Sequence, residues 1–274
     1  MSVETCLKDI VDLKQFALAK TEFRSDCRDT LENSGCLILK NFLRPQAVKL
    51  IRKEALLNQY LAYYCIQEHN VYLTTQDTHY ADNHPRNRNL KSSKGCITDD
   101  QVPTESLLRI LYDSLEFRNF LCAVLDEDAL YEYADSLSSI NIHYASAEQE
   151  LAWHFDNSSF AITLLLQQAD KGGDFQYLRN MRYTSKGDLD FENTRQVLDG
   201  EREPQNLRME PGTLVLFRGQ ESIHRVTPVK GEKTRILAVL AYNSKPGIEL
   251  SEEARMTFFG RLGSEQQPTL SGAP

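Results

Sequence analysis

His154, Asp156 and His224 are the residues whose types and spacing could do chemistry. The first two lie in Trp153-His-Phe-Asp-Asn157. Side chains two apart on a strand share a face, so His154 and Asp156 can project together. His224 lies in Ser222-Ile-His-Arg-Val226, and antiparallel pairing could bring it alongside. Two imidazoles and one carboxylate suit Fe(II) and leave coordination positions open for small molecules. The plainer alternative is a pair of hydrogen-bonded core histidines. Arg235 opens the apolar run Ile236-Leu-Ala-Val-Leu240. A guanidinium entering an apolar core needs an anion, and its fork matches a carboxylate. Its plainer alternative is a structural salt bridge.

Other polar residues near these are less specific. Asn141 and His143 alternate along Ser139-Ile-Asn-Ile-His-Tyr144, and that face could hold a cosubstrate or substrate, or could simply be solvated. Asn157 follows the motif and could touch substrate. Trp153, the single tryptophan, reads as packing. His69, His79 and His84 read as surface residues. Arg218 and Arg225 flank His224 and could pair with an acidic substrate or with surface acids.

The elements that must position these residues fall into two halves. Before residue 130 the pattern is helical. Leu7, Ile10, Val11 and Lys14 predict a helix over 4–20, and Phe23, Cys27 and Leu31 another over 22–33 that ends at Gly35. Cys36–Leu39 reads as a short strand. Pro45 can start a helix running to about Ala62. Residues 67–103 are polar and aperiodic, which predicts a partly ordered segment covering the site. Helices resume over 104–113, with Thr104 as N-cap, and over 115–125. After residue 131 the pattern is β, with strands at about 137–145, 149–153, 158–168, 173–178, 206–209, 213–218, 222–228 and 234–243. Residues 180–205 read as a charged loop with a short helix. A last helix is predicted over 251–262, and 263–274 as a disordered tail.

That order predicts an α+β chain with a mainly β core, a jelly roll backed by the N-terminal helices. We read 1–262 as one domain: helical scaffold and lid over 1–130, jelly-roll core over 131–245, and the closing helix.

Composition narrows the function. The chain has 274 residues, 41% of them hydrophobic and 26% charged, with a net charge of −8. An acidic balance disfavours sequence-independent binding to nucleic acid. No apolar run reaches the roughly 20 residues of a membrane span, and no secretion signal is evident. Six cysteines without C-x-x-C spacing read as packing thiols of a cytoplasmic protein.

With these residues in view, the chain resembles the Fe(II)/2-oxoglutarate-dependent oxygenases. It is most similar to the group containing the radical halogenases and hydroxylases of free amino acids, the BesD-like group. The similarity rests on Tyr133-Ala-Asp-Ser-Leu-Ser-Ser139, Trp153-His-Phe-Asp-Asn157, Phe160-Ala-Ile-Thr-Leu-Leu-Leu-Gln167, Pro211-Gly-Thr-Leu-Val-Leu-Phe-Arg-Gly219 and His224-Arg-Val-Thr-Pro228. The resemblance implies a double-stranded β-helix of cupin-like type and Fe(II) held by His154, Asp156 and His224. It implies 2-oxoglutarate as cosubstrate, its far carboxylate on Arg235, and O2 as oxidant. Halogenases of the group carry glycine or alanine where Asp156 stands, leaving that iron position to a halide. The carboxylate here therefore implies hydroxylation of an unactivated C–H in a small polar metabolite, a free amino acid or derivative. Desaturation, cyclisation or oxidative cleavage at the same site, and a non-catalytic metal-binding sensor, are the alternatives. Oligomeric state is not legible.

Overall fold

The computed structural model describes residues 5–263. In chain order the elements are α1 (Leu7–Ile10), α2 (Thr21–Ser34), β1 (Cys36–Leu39), α3 (Pro45–Asn58), β2 (Tyr63–His69), β3 (Leu90–Ile97), α4 (Leu107–Asp113) and α5 (Leu115–Leu125). They continue with β4 (Ile140–Ala145), β5 (Leu151–His154), β6 (Ala161–Gln167), β7 (Lys171–Gly172), β8 (Phe175–Leu178), α6 (Phe191–Leu198) and β9 (Gln205–Leu207). The last are β10 (Leu214–Phe217), β11 (Ile223–Val226), β12 (Val229–Lys230), β13 (Arg235–Leu240) and α7 (Glu252–Phe259).

Two antiparallel sheets face each other. The larger has the order β1-β10-β6-β13-β4-β3-β2 and the smaller β5-β11-β8-β9. This is the expected jelly roll, open rather than a closed barrel. The outer face of the large sheet buries its alternate residues, among them Ile142, Tyr144, Leu164, Leu216 and Ala238. They pack against Leu31, Ile51, Leu108, Phe117 and Phe120 of the helices. Burial of such side chains contributes roughly 1.5–3 kcal/mol each, so this helix-on-sheet layer is the main source of stability. Ser106 and Ser114 cap α4 and α5, accepting from the backbone N–H of Leu108 and Phe117. Such caps are worth about 1 kcal/mol each.

The structure departs from the sequence reading in three places. The helix over 4–20 shrinks to α1, because Val11 pairs in a bridge with Leu43 and Arg44 donates to the Ile10 carbonyl. Tertiary pairing there outweighs local propensity. Ser106, not Thr104, is the N-cap of α4. The third departure is residues 67–103, which carry the end of β2 and all of β3: the two strands pair antiparallel from Tyr63↔Cys96 to His69↔Leu90 and extend the large sheet. β3 looked aperiodic because Ser92 and Lys94 belong to a polar strand face turned toward the site. The loop 70–89 does not line the central cavity either. It braces the outer face of the small sheet, where Val71 and Tyr72 pack with Trp153, Phe155 and Met181. The expected tail, 263–274, lies outside the described residues apart from Gly263.

Candidate metal centre

His154 ends β5 and His224 lies on β11, and the two are direct partners in the antiparallel register. Cross-strand partners sit about 4.5–5.5 Å apart, and the imidazole centroids are 4.2 Å apart. Asp156, two residues past His154, turns back into the same space. Its Oδ1 is 3.5 Å from His224 Nε2 and 3.8 Å from His154 Nε2. One ligand atom from each of the three residues lies within 4.8 Å of the others.

Backbone carbonyls set the tautomers. His154 Nδ1 lies 2.8 Å from the Ala152 carbonyl, and His224 Nδ1 lies 3.0 Å from that of Ser222. A carbonyl can only accept, so each Nδ1 carries the proton and each Nε2 presents its lone pair to the shared space. Phe175 and Phe217 flank His224, with centroids 5.4 and 5.0 Å away, and limit its rotation.

Asp156 is held by its backbone. Its N–H donates to the Gly219 carbonyl at 3.1 Å. Its own carbonyl accepts from Arg182 Nη2 at 3.0 Å. The Arg182 guanidinium lies over the Phe155 ring, 4.3 Å from its centroid, and Nε donates to the Gln220 carbonyl. One arginine therefore ties the segment after β5 to the segment before β11.

Electrostatics follow from burial and crowding. Burial, with a second push from His224, lowers His154 to about 3. Burial opposes ionisation of Asp156, but His224, His154 and Arg182 outweigh it and hold the carboxyl below its ordinary range. His224 is raised, since Asp156 outweighs the burial that acts against its charged form. Asp156 Oδ2 is buried and has no hydrogen-bond partner. Asp156 Oδ1 is the oxygen that meets the two Nε2 atoms, and a buried carboxylate with its other oxygen left unpaired is poorly satisfied without a cation. The donor set and this orphan atom both fit a divalent first-row metal.

Arg235 begins β13 and is 6% exposed, and its Nη2 is buried without a partner. Burial lowers it to about 10, with Asp174 acting against the shift. Among the described residues no carboxylate forms a salt bridge with it, so the plainer alternative of a structural ion pair is not what the fold contains. Gly173 allows its approach, since a Cβ there would come within 2.9 Å of Arg235 Cδ. Arg235, His143, Lys94 and all three triad residues line one cavity of about 270 Å³.

The remaining candidates divide. His143 lines this cavity. Asn141 does not: its amide donates to the carbonyls of Leu137 and Ile140. Asn157 is exposed and offers its carbonyl to Gln220. Arg225 stacks on Trp153 and donates to Gln176, and Arg218 donates to the Leu125 carbonyl. Neither arginine faces the cavity. His79 pairs with Asp77 at the surface, while His84 stacks on Tyr80. His69 is not a surface residue: it bonds Ser92 Oγ and meets His154 edge-on. Sequence reasoning missed Lys94 and Arg182. Both sit among polar residues, with no spacing that marks them.

The facing sheets and the two-histidine, one-carboxylate cluster define an oxygenase of the Fe(II)/2-oxoglutarate superfamily, enzymes that use Fe(II), 2-oxoglutarate and O2. The chain belongs to the Halogenase D family, whose model matches residues 19–258. No curated protein matches it. Solved structures of similar fold include a 2OG-Fe(II) oxygenase family protein from Burkholderia pseudomallei, at 13% identity and TM-score 0.51, covering 82% of this chain and 93% of that one. A Trichoplax adhaerens prolyl hydroxylase in complex with a hypoxia inducible factor peptide is similar at 13% identity and TM-score 0.53, covering 85% and 92%. The alpha ketoglutarate dependent epimerase SnoN from nogalamycin biosynthesis is similar at 9% identity and TM-score 0.56, covering 81% and 84%.

Proposed function

We propose that the protein is a non-haem Fe(II)/2-oxoglutarate-dependent hydroxylase of a small polar metabolite, a free amino acid or derivative. The observation that carries this reading is Asp156. Its carboxylate stands with the two imidazoles inside one cluster of ligand atoms, so a halide would have to displace a charged side chain whose backbone is pinned by Arg182 and Gly219.

His154, Asp156 and His224 would hold Fe(II), and Arg235 the far carboxylate of 2-oxoglutarate. Bound together, metal, cosubstrate and O2 supply the oxidant that removes hydrogen from an unactivated C–H. The chain does the rest by placement. The Nδ1–H groups fix both imidazoles, Arg182 fixes the Asp156 backbone, and Phe175 and Phe217 keep water from the His224 side. The cavity volume lies at the small end for ligand pockets and favours a compact substrate over a macromolecule. No helix among the described residues is long and apolar enough to cross a membrane. The free thiols support a cytoplasmic location, since oxidising compartments favour disulfides.

The test is product mass spectrometry after incubation with Fe(II), 2-oxoglutarate, chloride and pooled amino acids. Gain of one oxygen atom in a pool member is expected. A chlorinated product would refute hydroxylation, and loss of two hydrogens would assign desaturation. Absence of succinate under every condition would refute the oxygenase reading.

A further inference from the structure

Lys94 is a second cation in the wall of the cavity, and the triad and Arg235 leave it without a task. The register places it. Cys96 pairs with His143 and Gly95 with Tyr144 across β3 and β4, so Lys94 comes level with Ala145. Ala145 in turn pairs with Arg235 across β4 and β13. Lys94 and Arg235 therefore stand in one row, two strands apart, roughly 10 Å between backbones. The small Ala145 lies between them, and His143 sits beside the gap.

The Lys94 ammonium has poor company. Its Nζ is 3.1 Å from His143 Nε2 and 3.4 Å from Nδ1, so it straddles the ring rather than bonding one nitrogen well. Burial holds His143 well below its ordinary value, with Lys94 and Arg235 pushing the same way, so the ring is neutral. The nearby Cys96 thiol is pushed up to about 12 by burial and offers no negative charge. Among the described residues no carboxylate forms a salt bridge with Lys94. Burial lowers the lysine itself, and the pull of Asp156, the one carboxylate acting on it, only partly offsets this, the sign of an ammonium short of a counter-charge.

Counting charge in the filled site makes the deficit specific. A divalent metal would be balanced by Asp156 and the near carboxylate of 2-oxoglutarate, and Arg235 by the far carboxylate. Lys94 is left over. Asp156 is the sole acid among the residues lining this cavity, and it is committed to the metal. The other walls are largely apolar, with Leu151, Phe160, Ile162, Val226, Val239 and Leu240 among them. An anion is thus wanted at one point, and no uncommitted acid in the lining matches a cationic side chain.

We propose that Lys94, braced by His143, docks the anionic group of the organic substrate, which is a small carboxylic acid with an apolar body rather than one with a cationic side chain. The proposal rests on the oxygenase reading and narrows its substrate. Within the amino acids it selects aliphatic or aromatic ones, or their N-blocked and deaminated relatives, over basic ones.

The experiment is calorimetric binding to the Mn(II)- and 2-oxoglutarate-loaded protein under argon, where no turnover occurs. The probes are aliphatic and aromatic amino and carboxylic acids, each beside its primary amide, with L-lysine and L-arginine. Acids with apolar bodies are expected to bind, and their amides and the basic amino acids to bind at least about 30-fold more weakly, the loss typical of a stranded buried charge. Lys94→Met should weaken the acids by a similar factor, and Lys94→Arg should restore most of it. The proposal is overturned if no acid binds, if amides or basic amino acids bind as well as acids, or if Lys94→Met leaves the acids unaffected. It is also overturned if Lys94→Met weakens 2-oxoglutarate instead, which would assign the lysine to the cosubstrate. Failure of 2-oxoglutarate to bind the Mn(II)-loaded wild-type protein would refute the oxygenase reading itself.

Discussion

Gly219 and Asp156 share a space that admits no additional carbon: a Cβ at position 219 would lie 1.8 Å from Asp156 Oδ2. The glycine ends the run Pro211–Gly219 just before β11, and its carbonyl accepts from the Asp156 N–H. The carboxylate can occupy the metal position only because residue 219 has no side chain.

Gly219→Ala should therefore expel the carboxylate without unfolding the protein. No positive φ is required of this glycine, so backbone strain does not confuse the result. We expect Mn(II) affinity to fall about 10- to 100-fold, the range for disturbed support of a metal ligand, with circular dichroism unchanged. Metal titration by calorimetry reads it, and undiminished affinity would show that Asp156 is not a ligand.

Removing the carboxylate directly is the sharper version. Asp156→Ala should abolish the oxygen-containing product, because it opens a coordination position and removes the charge that balances the metal. Product mass spectrometry checks this, and retained hydroxylation would exclude Asp156 from the site.

Arg235→Met should have opposite effects on stability and function. The unpartnered buried guanidinium destabilises the cofactor-free fold, so the variant's melting temperature without 2-oxoglutarate should equal or exceed that of the wild type. Its 2-oxoglutarate requirement should rise about 30-fold or more, from loss of a buried charge pair worth roughly 2–5 kcal/mol. Thermal melts with and without Mn(II) and 2-oxoglutarate measure both, and an unchanged cosubstrate shift would clear Arg235 of that role.

Arg182 is the residue whose loss should damage structure and site together. Arg182→Leu strands the Asp156 and Gln220 carbonyls, at about 1–3 kcal/mol for each buried acceptor left unsatisfied, and removes the cation over Phe155. A lower melting temperature is expected together with weaker metal binding. Arg182→Lys should restore part of the first and little of the second, because a single ammonium cannot span both carbonyls.

Much of the candidate site was legible from residue types alone. His154 and Asp156 two apart, His224 on a later strand and Arg235 entering an apolar run are local facts, because a strand turns alternate residues to one face. The helix-then-strand order read correctly for the same reason, since hydrophobic period reports local geometry. Tertiary structure decided what local pattern does not encode. It joined β2 and β3 to the large sheet, although their polar faces hid the strand period, and sent loop 70–89 behind the small sheet instead of over the cavity. It turned Asn141 to backbone carbonyls and Arg225 onto Trp153. It also set Lys94 level with Arg235, residues more than a hundred positions apart. Which polar side chain faces a shared cavity depends on strand order and register, and those are settled by packing the whole chain at once.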